Sequence, residues 1–368
     1  MTSSALLICS GGGHLKQLFA LAARLGIAPD DQTWATFDNP LSRTLLAGRE
    51  VFTLPYAAPR DAFSILRTLG RAHHVLASRR FDLAVSTGSS PAVSFLPWAA
   101  RRGARALYIE SAARADGPSV SGRILMHDPR VTTFTQYPGW ADEAWSYHGS
   151  IFDSFAPAPP RASRPVRRAV VTLGTQEQYG FARLLRAVVP LLAGCEVLWQ
   201  LGPTGAREAA ALGVPDARAG VPHDELSQAI GEADVVIAHA GTGSALTAFE
   251  QGHCPVLVPR LARHGEHVDD HQLQIARELE RRGLAVAKAP RSSRSRTWRR
   301  PRRVPRAASR LRRSISTPPS PRGERVPSPS GRPDHPTVRG FLLPHRRARH
   351  LGAHRLPVDR CLRRRPVA

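Results

Sequence analysis

The 368-residue sequence has only four cysteines (Cys9, Cys195, Cys254 and Cys361), far apart and without a CxxC pair. That scarcity argues against a disulfide framework or a zinc site and fits a reducing compartment. Three of the four lie in apolar runs and are expected to be buried thiols. No apolar run reaches about 18 residues, so no segment is expected to cross a membrane. The N-terminus lacks a basic stretch followed by a long apolar run, so no signal peptide is expected. No Walker phosphate loop is present. Lysine is missing from Ala289 to Ala368, where 23 arginines face three acids (Glu324, Asp334, Asp359). This segment holds a net +20 of the chain's +23, so residues 1–288 carry only +3. The excess charge that suggests nucleic acid therefore belongs to a tail and not to the globular body.

Across residues 1–288, short apolar runs alternate with helical patterns. "ALLIC" (5–9), "TWATF" (33–37), "DLAVST" (82–87) and "ALYIE" (106–110) are strand-like, with helices expected from about His14 to Leu25, near 62–79 and near 91–102. Apolar runs of this length between helices predict parallel strands buried on both faces. "FAPAPPRASRPVRR" (155–168) is proline-rich and basic and reads as a linker. The alternation then restarts with "AVVTLGT" (169–175), "EVLWQLG" (196–202), "DVVIAHAGTGS" (234–244) and "PVLVP" (255–259), and a last helix is stopped by Gly283. The expectation is α/β architecture: two Rossmann-like parallel-sheet domains, 1–154 and 169–288, facing a cleft. The tail 289–368, with 13 prolines and almost no apolar periodicity, is expected to be a disordered basic arm. Its Arg, Pro, Ser, Ala and His crowding, with Lys absent and the helical pattern ending abruptly after Gly283, favours the further reading that it is out-of-frame translation of GC-rich DNA, which resequencing the gene would test.

Two glycine-rich loops should face that cleft, since ligands of open parallel sheets bind at the carboxyl ends of the strands. In "SGGGH" (10–14), Gly11 and Gly13 fit the first two glycines of a dinucleotide fingerprint. Lys16 takes the third place, and Asp38 sits where a ribose-binding acid would, so a weak dinucleotide reading stays open. The better reading is a turn whose N–H groups approach an anion at a helix N-terminus, beside His14; a plain tight turn is the alternative. "AHAGTGSALTAFEQG" (238–252) brings His239, Gly241, Thr242, Gly243 and Ser244 to a helix start, which suits a diphosphate. "LGTQ" (173–176) adds another small-residue loop. "HGEHVDDHQ" (264–272) crowds hydrogen-bonding groups that suit sugar hydroxyls, with no clear helical metal pair.

Together "HAGTGS", "VPR" (258–260) and "HGEHVDDHQ" resemble the donor domain of family 28-type glycosyltransferases. "SGGGH", "DLAVSTGSSPAV" (82–93) and "YIESAARADGPSVSGRIL" (108–125) resemble the acceptor subunit of the two-part eukaryotic enzyme that extends dolichol-diphosphate-GlcNAc. The chain looks like a bacterial fusion of the two, and is more distantly similar to the transferase that forms lipid II. The resemblance implies a two-domain GT-B fold and an inverting, metal-independent transfer of a hexose, GlcNAc first among candidates. The donor would be a UDP-sugar, the acceptor a polyprenyl-diphosphate sugar at the cytoplasmic membrane face, as in cell-surface polysaccharide synthesis. No cofactor, metal or nucleic-acid partner is implied. Gly174, Thr175, His239, Gly241, Thr242, Gly243 and Ser244 would hold UDP. Asp270, His271 and Gln272 would contact the donor sugar. Gly11, Gly12, Gly13 and Arg114 would receive the acceptor diphosphate. Relatives often place a ribose-binding Glu where this chain has Thr247; Glu250, on the same helix face, is the substitute. GT-B chains also tend to return a C-terminal helix to the first domain, and the tail offers none.

Inversion needs a base for the acceptor hydroxyl. His14 is preferred and Glu110 is the second candidate; a helix cap for His14 and a salt bridge to Arg114 for Glu110 are their ordinary alternatives. The helical pattern of 62–80, apolar residues mixed with Arg and His, fits either an interfacial helix or a common amphipathic one. Two other functions remain open: a UDP-GlcNAc epimerase-like enzyme, which needs no acceptor, and a nucleic-acid binder acting through the tail.

Overall fold

The computed structural model describes residues 4–56, 62–157, 165–174 and 179–288. Thr175, half of the expected linker (158–164) and the whole arginine-rich tail lie outside the described residues.

The first sheet contains β1 (Ala5–Ile8), β2 (Gln32–Phe37), β3 (Glu50–Leu54), β4 (Leu83–Ser86), β5 (Arg105–Ile109), β6 (Val131–Thr135) and β7 (Ser146–Tyr147). They run parallel in the order β3-β2-β1-β4-β5-β6-β7. β1 and β4 are buried at every position, as the unbroken apolar runs require of strands covered on both faces. Helices α1 (Gly13–Arg24), α2 (Pro40–Leu45), α3 (Ala62–Ser78), α4 (Ser90–Arg101) and α5 (Val120–Leu125) connect them. The strand order reverses between β1 and β4, so their carboxyl ends open the crevice where ligands of such sheets bind.

The second sheet holds β8 (Arg168–Thr172), β9 (Glu196–Gln200), β10 (Val235–His239), β11 (Val256–Val258) and β12 (Val286–Ala287), ordered β12-β11-β10-β8-β9. Its helices are α6 (Ala182–Val188), α7 (Gly202–Ala211), α8 (His223–Glu232), α9 (Thr242–Glu250) and α10 (His271–Arg281). Here the order reverses between β8 and β10, which deliver Gly174 and His239.

The sequence gives no expectation for β3, β6, β7, β12, α2, α5 or α7. The reason for β3 is visible: it is an edge strand, and only Leu54 of its five residues is buried, so no apolar run marks it. One thiol also differs from expectation. Cys9 and Cys254 are buried, but Cys195 is only half-buried and donates its S–H to the Val166 carbonyl at 3.4 Å. Burial pushes the Cys9 thiol up to about 12, which makes it inert as a nucleophile.

The two sheets share a core. Leu15, Leu18 and Leu21 of α1 join Leu246 and Phe249 of α9, Ile275 and Leu279 of α10, and Phe152 and Phe155 in one buried cluster. Phe249 lies edge-on to Phe152, with ring centroids 6.2 Å apart, and tilted against Phe155 at 5.2 Å. Ion pairs cross the same boundary: Lys16–Glu250 at 2.8 Å, Arg114–Asp269 at 2.8 Å and Arg282–Asp153 at 2.7 Å. The expected cleft is therefore closed along α1 and α9 by apolar packing.

Candidate active site

The first sheet brings the turn after β1 to the boundary. Gly12, at φ 64°, is the residue before α1, and this left-handed backbone favours glycine. Gly11 has no room for a side chain, since a Cβ would fall 2.4 Å from the Asn39 amide nitrogen. His14 stands on the first turn of α1. Its Nδ1 lies 2.9 Å from the Thr87 carbonyl. A carbonyl only accepts, so Nδ1 carries the proton and Nε2 keeps its lone pair. Burial, partly opposed by that hydrogen bond, lowers the ring to about 4; His271 and Arg114 push in the same direction as burial. His14 is thus neutral at physiological pH, with Nε2 able to accept a proton.

Glu110 has a different setting from the one expected. It is 1% exposed and its carboxylate is surrounded by donors. Oε1 accepts from the Ser111 N–H at 3.0 Å and the Tyr108 hydroxyl at 3.3 Å; Oε2 accepts from the Ser119 N–H at 2.8 Å and its hydroxyl at 2.9 Å. A Cβ on Gly122 would fall 2.4 Å from Oε2. Glu110 thus organises the 110–119 segment from inside. Arg114, its expected salt-bridge partner, instead donates to Asp269 across the boundary.

The second sheet supplies the opposing wall. His239 ends β10, and its ring fills the space over two glycines. A Cβ on Gly174 would lie 2.9 Å from His239 Cε1, and one on Gly241 only 2.2 Å from Nε2. Gly174 also has φ 73°, so glycine is required there twice over. Burial, reinforced by the nearby Arg260 charge, lowers His239 to about 3. After Gly241, helix α9 begins with Thr242, Gly243 and Ser244, and its first N–H groups are unpaired within the helix. Gly243 meets Gly13 almost backbone to backbone, a Cβ at 243 lying 3.2 Å from Gly13 Cα. The two glycine loops singled out in the sequence are neighbours.

Thr247 cannot stand in for a ribose-binding acid, because its hydroxyl donates back to the Gly243 carbonyl at 3.0 Å. Glu250 shares that helix face but is held by Lys16, whose Nζ also lies 3.4 Å from His223 Nε2.

The 264–272 segment folds over the same boundary. His271 Nδ1 is 2.5 Å from Asp269 Oδ1, while Arg114 takes Asp269 Oδ2 at 2.8 Å. The hydrogen bond from His271, with Arg114 beside it, holds the Asp269 carboxyl far below the usual range. His267 stands edge-on to His271 at 4.5 Å and stacks on Tyr179. Burial lowers His267 to about 4. His267, Asp269 and His271 bring ligand atoms within 4.8 Å of one another. That set suits a divalent ion in type, although Arg114 already brings a positive charge to its only carboxylate. Gln272 is buried, and its Oε1 accepts from the Arg260 N–H at 3.0 Å. Asp270 is exposed and accepts from the Ala262 N–H at 2.8 Å.

Several residues at this boundary carry no individual site role in the sequence analysis: Lys16, Tyr179, Arg260, His267 and Asp269. Arg260 was legible within "VPR", and His267 and Asp269 within the crowded 264–272 stretch. Lys16 and Tyr179 carry no local signal, since only tertiary packing gives them partners.

Residues 168–293 match the family described as glycosyltransferase family 28 C-terminal domain. Over 59 residues, 16% of this chain, the sequence is 42% identical to UDP-N-acetylglucosamine transferase subunit ALG13 of Yarrowia lipolytica. The chain spans 28% of the length of that curated relative. Among solved structures, MurG of Acinetobacter baumannii matches with a TM-score of 0.52 at 17% identity, over 79% of this chain and 86% of that one. The glycosyltransferase SsfS6 of Streptomyces sp. SF2575 has a TM-score of 0.48 at 20% identity, over 77% and 87%. The likeness to MurG is one of fold: two parallel-sheet α/β domains in the GT-B arrangement.

Proposed function

We infer that this chain is a family 28 GT-B glycosyltransferase, and that it moves a hexose from a UDP-sugar to a polyprenyl-diphosphate-linked sugar with inversion. GlcNAc is the first candidate sugar, and cell-surface polysaccharide synthesis is the setting. The observation that carries the reading is the meeting of two glycine loops on opposite sheets, with the neutral His14 ring beside them. The domain match supports the donor side. The Gly174 turn and the 241–244 loop would take the UDP diphosphate on N–H groups and the α9 N-terminus. His271 and Gln272 would contact the sugar. Gly11 to Gly13 would take the acceptor diphosphate, with Arg114 exchanging Asp269 for phosphate oxygens.

In the reaction the acceptor hydroxyl oxygen forms a bond to the sugar C1 as the C1–O bond to phosphate breaks. The electron pair of that bond leaves with UDP, and the hydroxyl proton passes to His14 Nε2. The Thr87 carbonyl holds the ring in the tautomer this requires. We propose that no metal or cofactor takes part, the charge on UDP being met by protein N–H groups and cationic side chains.

No helix among the described residues is long and apolar enough to cross a membrane. We place the protein at the inner face of the cell membrane, held peripherally. Val120 (53% exposed) and Ile124 (51%) flank Arg123 on α5, an apolar and basic combination that suits an anionic lipid surface. The test is incubation with radiolabelled UDP-sugars, membranes and a polyprenyl-diphosphate-sugar acceptor. Label in the lipid extract is the expected result. Release of free sugar or UDP with no lipid product would overturn the transferase reading in favour of an epimerase-like one.

A further inference from the structure

Arg260 is the most buried charged side chain at the boundary, and none of the roles above uses it. It follows β11 at the carboxyl edge of the second sheet and is 1% exposed. Its Nη2 donates to the Leu173 carbonyl at 3.1 Å, immediately before Gly174. The guanidinium lies over the Phe181 ring at 5.4 Å from its centroid. Its Nε is buried and has no hydrogen-bond partner.

No carboxylate pairs with Arg260 among the described residues. The two acids nearest in charge effect are Glu266 and Glu208, and both are otherwise engaged. Glu266 forms a two-point pair with Arg183, at 2.9 and 2.7 Å, and accepts from the Leu261 N–H. Glu208 accepts from the Phe181 N–H at 3.0 Å. A buried cation without a paired anion is costly, and burial has lowered this guanidinium to about 10. Its positive field already reaches His239, where it helps keep the imidazole neutral. The unpaired charge therefore sits beneath the turn formed by Gly174, His239 and Gly241, the two strand ends at which the second sheet reverses order.

We propose that Arg260 is the fixed cation of the donor site: it positions the Leu173–Gly174 turn and supplies the positive potential that a nucleoside diphosphate neutralises on binding. This rests on the donor reading given above and adds to it a residue that acts through the turn. The same field would favour the second negative charge that UDP gains as the sugar leaves.

The test compares uridine, UMP and UDP binding by calorimetry in the wild-type full chain, Arg260→Met and Arg260→Lys, with thermal unfolding as a control for folding. A positioning role that was only structural would weaken all three ligands alike. The expected result is that Arg260→Met shrinks the UDP-over-uridine affinity ratio by about tenfold or more. Arg260→Lys keeps the charge but loses the fork, so it should retain most of the ratio. Should Arg260→Met fail to fold, Arg260→Lys decides with salt: a UDP-over-uridine ratio that still falls with ionic strength as in wild type supports the fixed cation, and a salt-independent ratio in both overturns it. An unchanged ratio in a folded Arg260→Met also overturns it. If wild type binds no UDP at all, the donor reading itself fails, which is a separate outcome.

Discussion

Acid should loosen this protein in a pH window where its carboxylates are still ionised. His14, lowered to about 4 by burial, is neutral in the folded chain, whereas an exposed histidine titrates near 6.5. Below pH 6.5 the unfolded chain binds the extra proton, so its contribution to stability is fully present above that value and is lost as pH falls toward 4. Between pH 7.5 and 5.0 the linkage amounts to about 2 kcal/mol for a shift of this size. His14 is only partly enclosed, and solvent screening brings the expected effect to about 1 kcal/mol. His239 and His267, at about 3 and 4, act in the same direction. Urea unfolding of wild type and His14→Gln at pH 7.5 and 5.0 would measure this; Gln can still donate to the Thr87 carbonyl but does not titrate. The wild type should lose about 1 kcal/mol more than the variant over the interval. An equal loss in the two proteins would refute the claim that His14 is held neutral by its surroundings.

Three further outcomes follow from the geometry. Gly241→Ala puts a Cβ within 2.2 Å of His239 Nε2, so the ring or the loop must move; UDP affinity should fall by about tenfold or more, as overpacking strain of about 1–3 kcal/mol implies, measured by titration calorimetry. Phe249→Ala removes a fully buried ring from the core shared by both sheets and should cost about 3–5 kcal/mol; both sheets should unfold together at a lower urea midpoint by circular dichroism and fluorescence. Asp269→Asn should be less stable than wild type at pH 7, and the difference should shrink progressively only as the pH falls below about 4. The native carboxyl is held below the usual range by His271 and then Arg114, so its contribution exists above about pH 4 and is lost on acidification.

What was legible in the sequence was legible for local reasons. β1, β4 and β10 are short runs buried on both faces, so their strand character is written in consecutive residues. The glycines at 11–13, 174, 241 and 243 were visible as loops, and crowding or a left-handed backbone favours glycine at several of them. β3 was invisible because an exposed edge strand needs no apolar run. Glu110 shows the limit of site reading: its place at a strand end suggested a base, yet four donors arriving from residues 108, 111 and 119 turn it into an internal fastening.

By itself, then, the sequence determined two parallel α/β halves and two phosphate-type loops, because strand burial and glycine turns depend on neighbours along the chain. Tertiary structure alone decided which groups meet. Gly13 against Gly243, Arg114 on Asp269, Lys16 on Glu250 and the unpaired Arg260 beneath Gly174 are contacts between distant segments. No periodicity encodes them, since they follow from how α1 packs on α9 and how each sheet reverses its strand order.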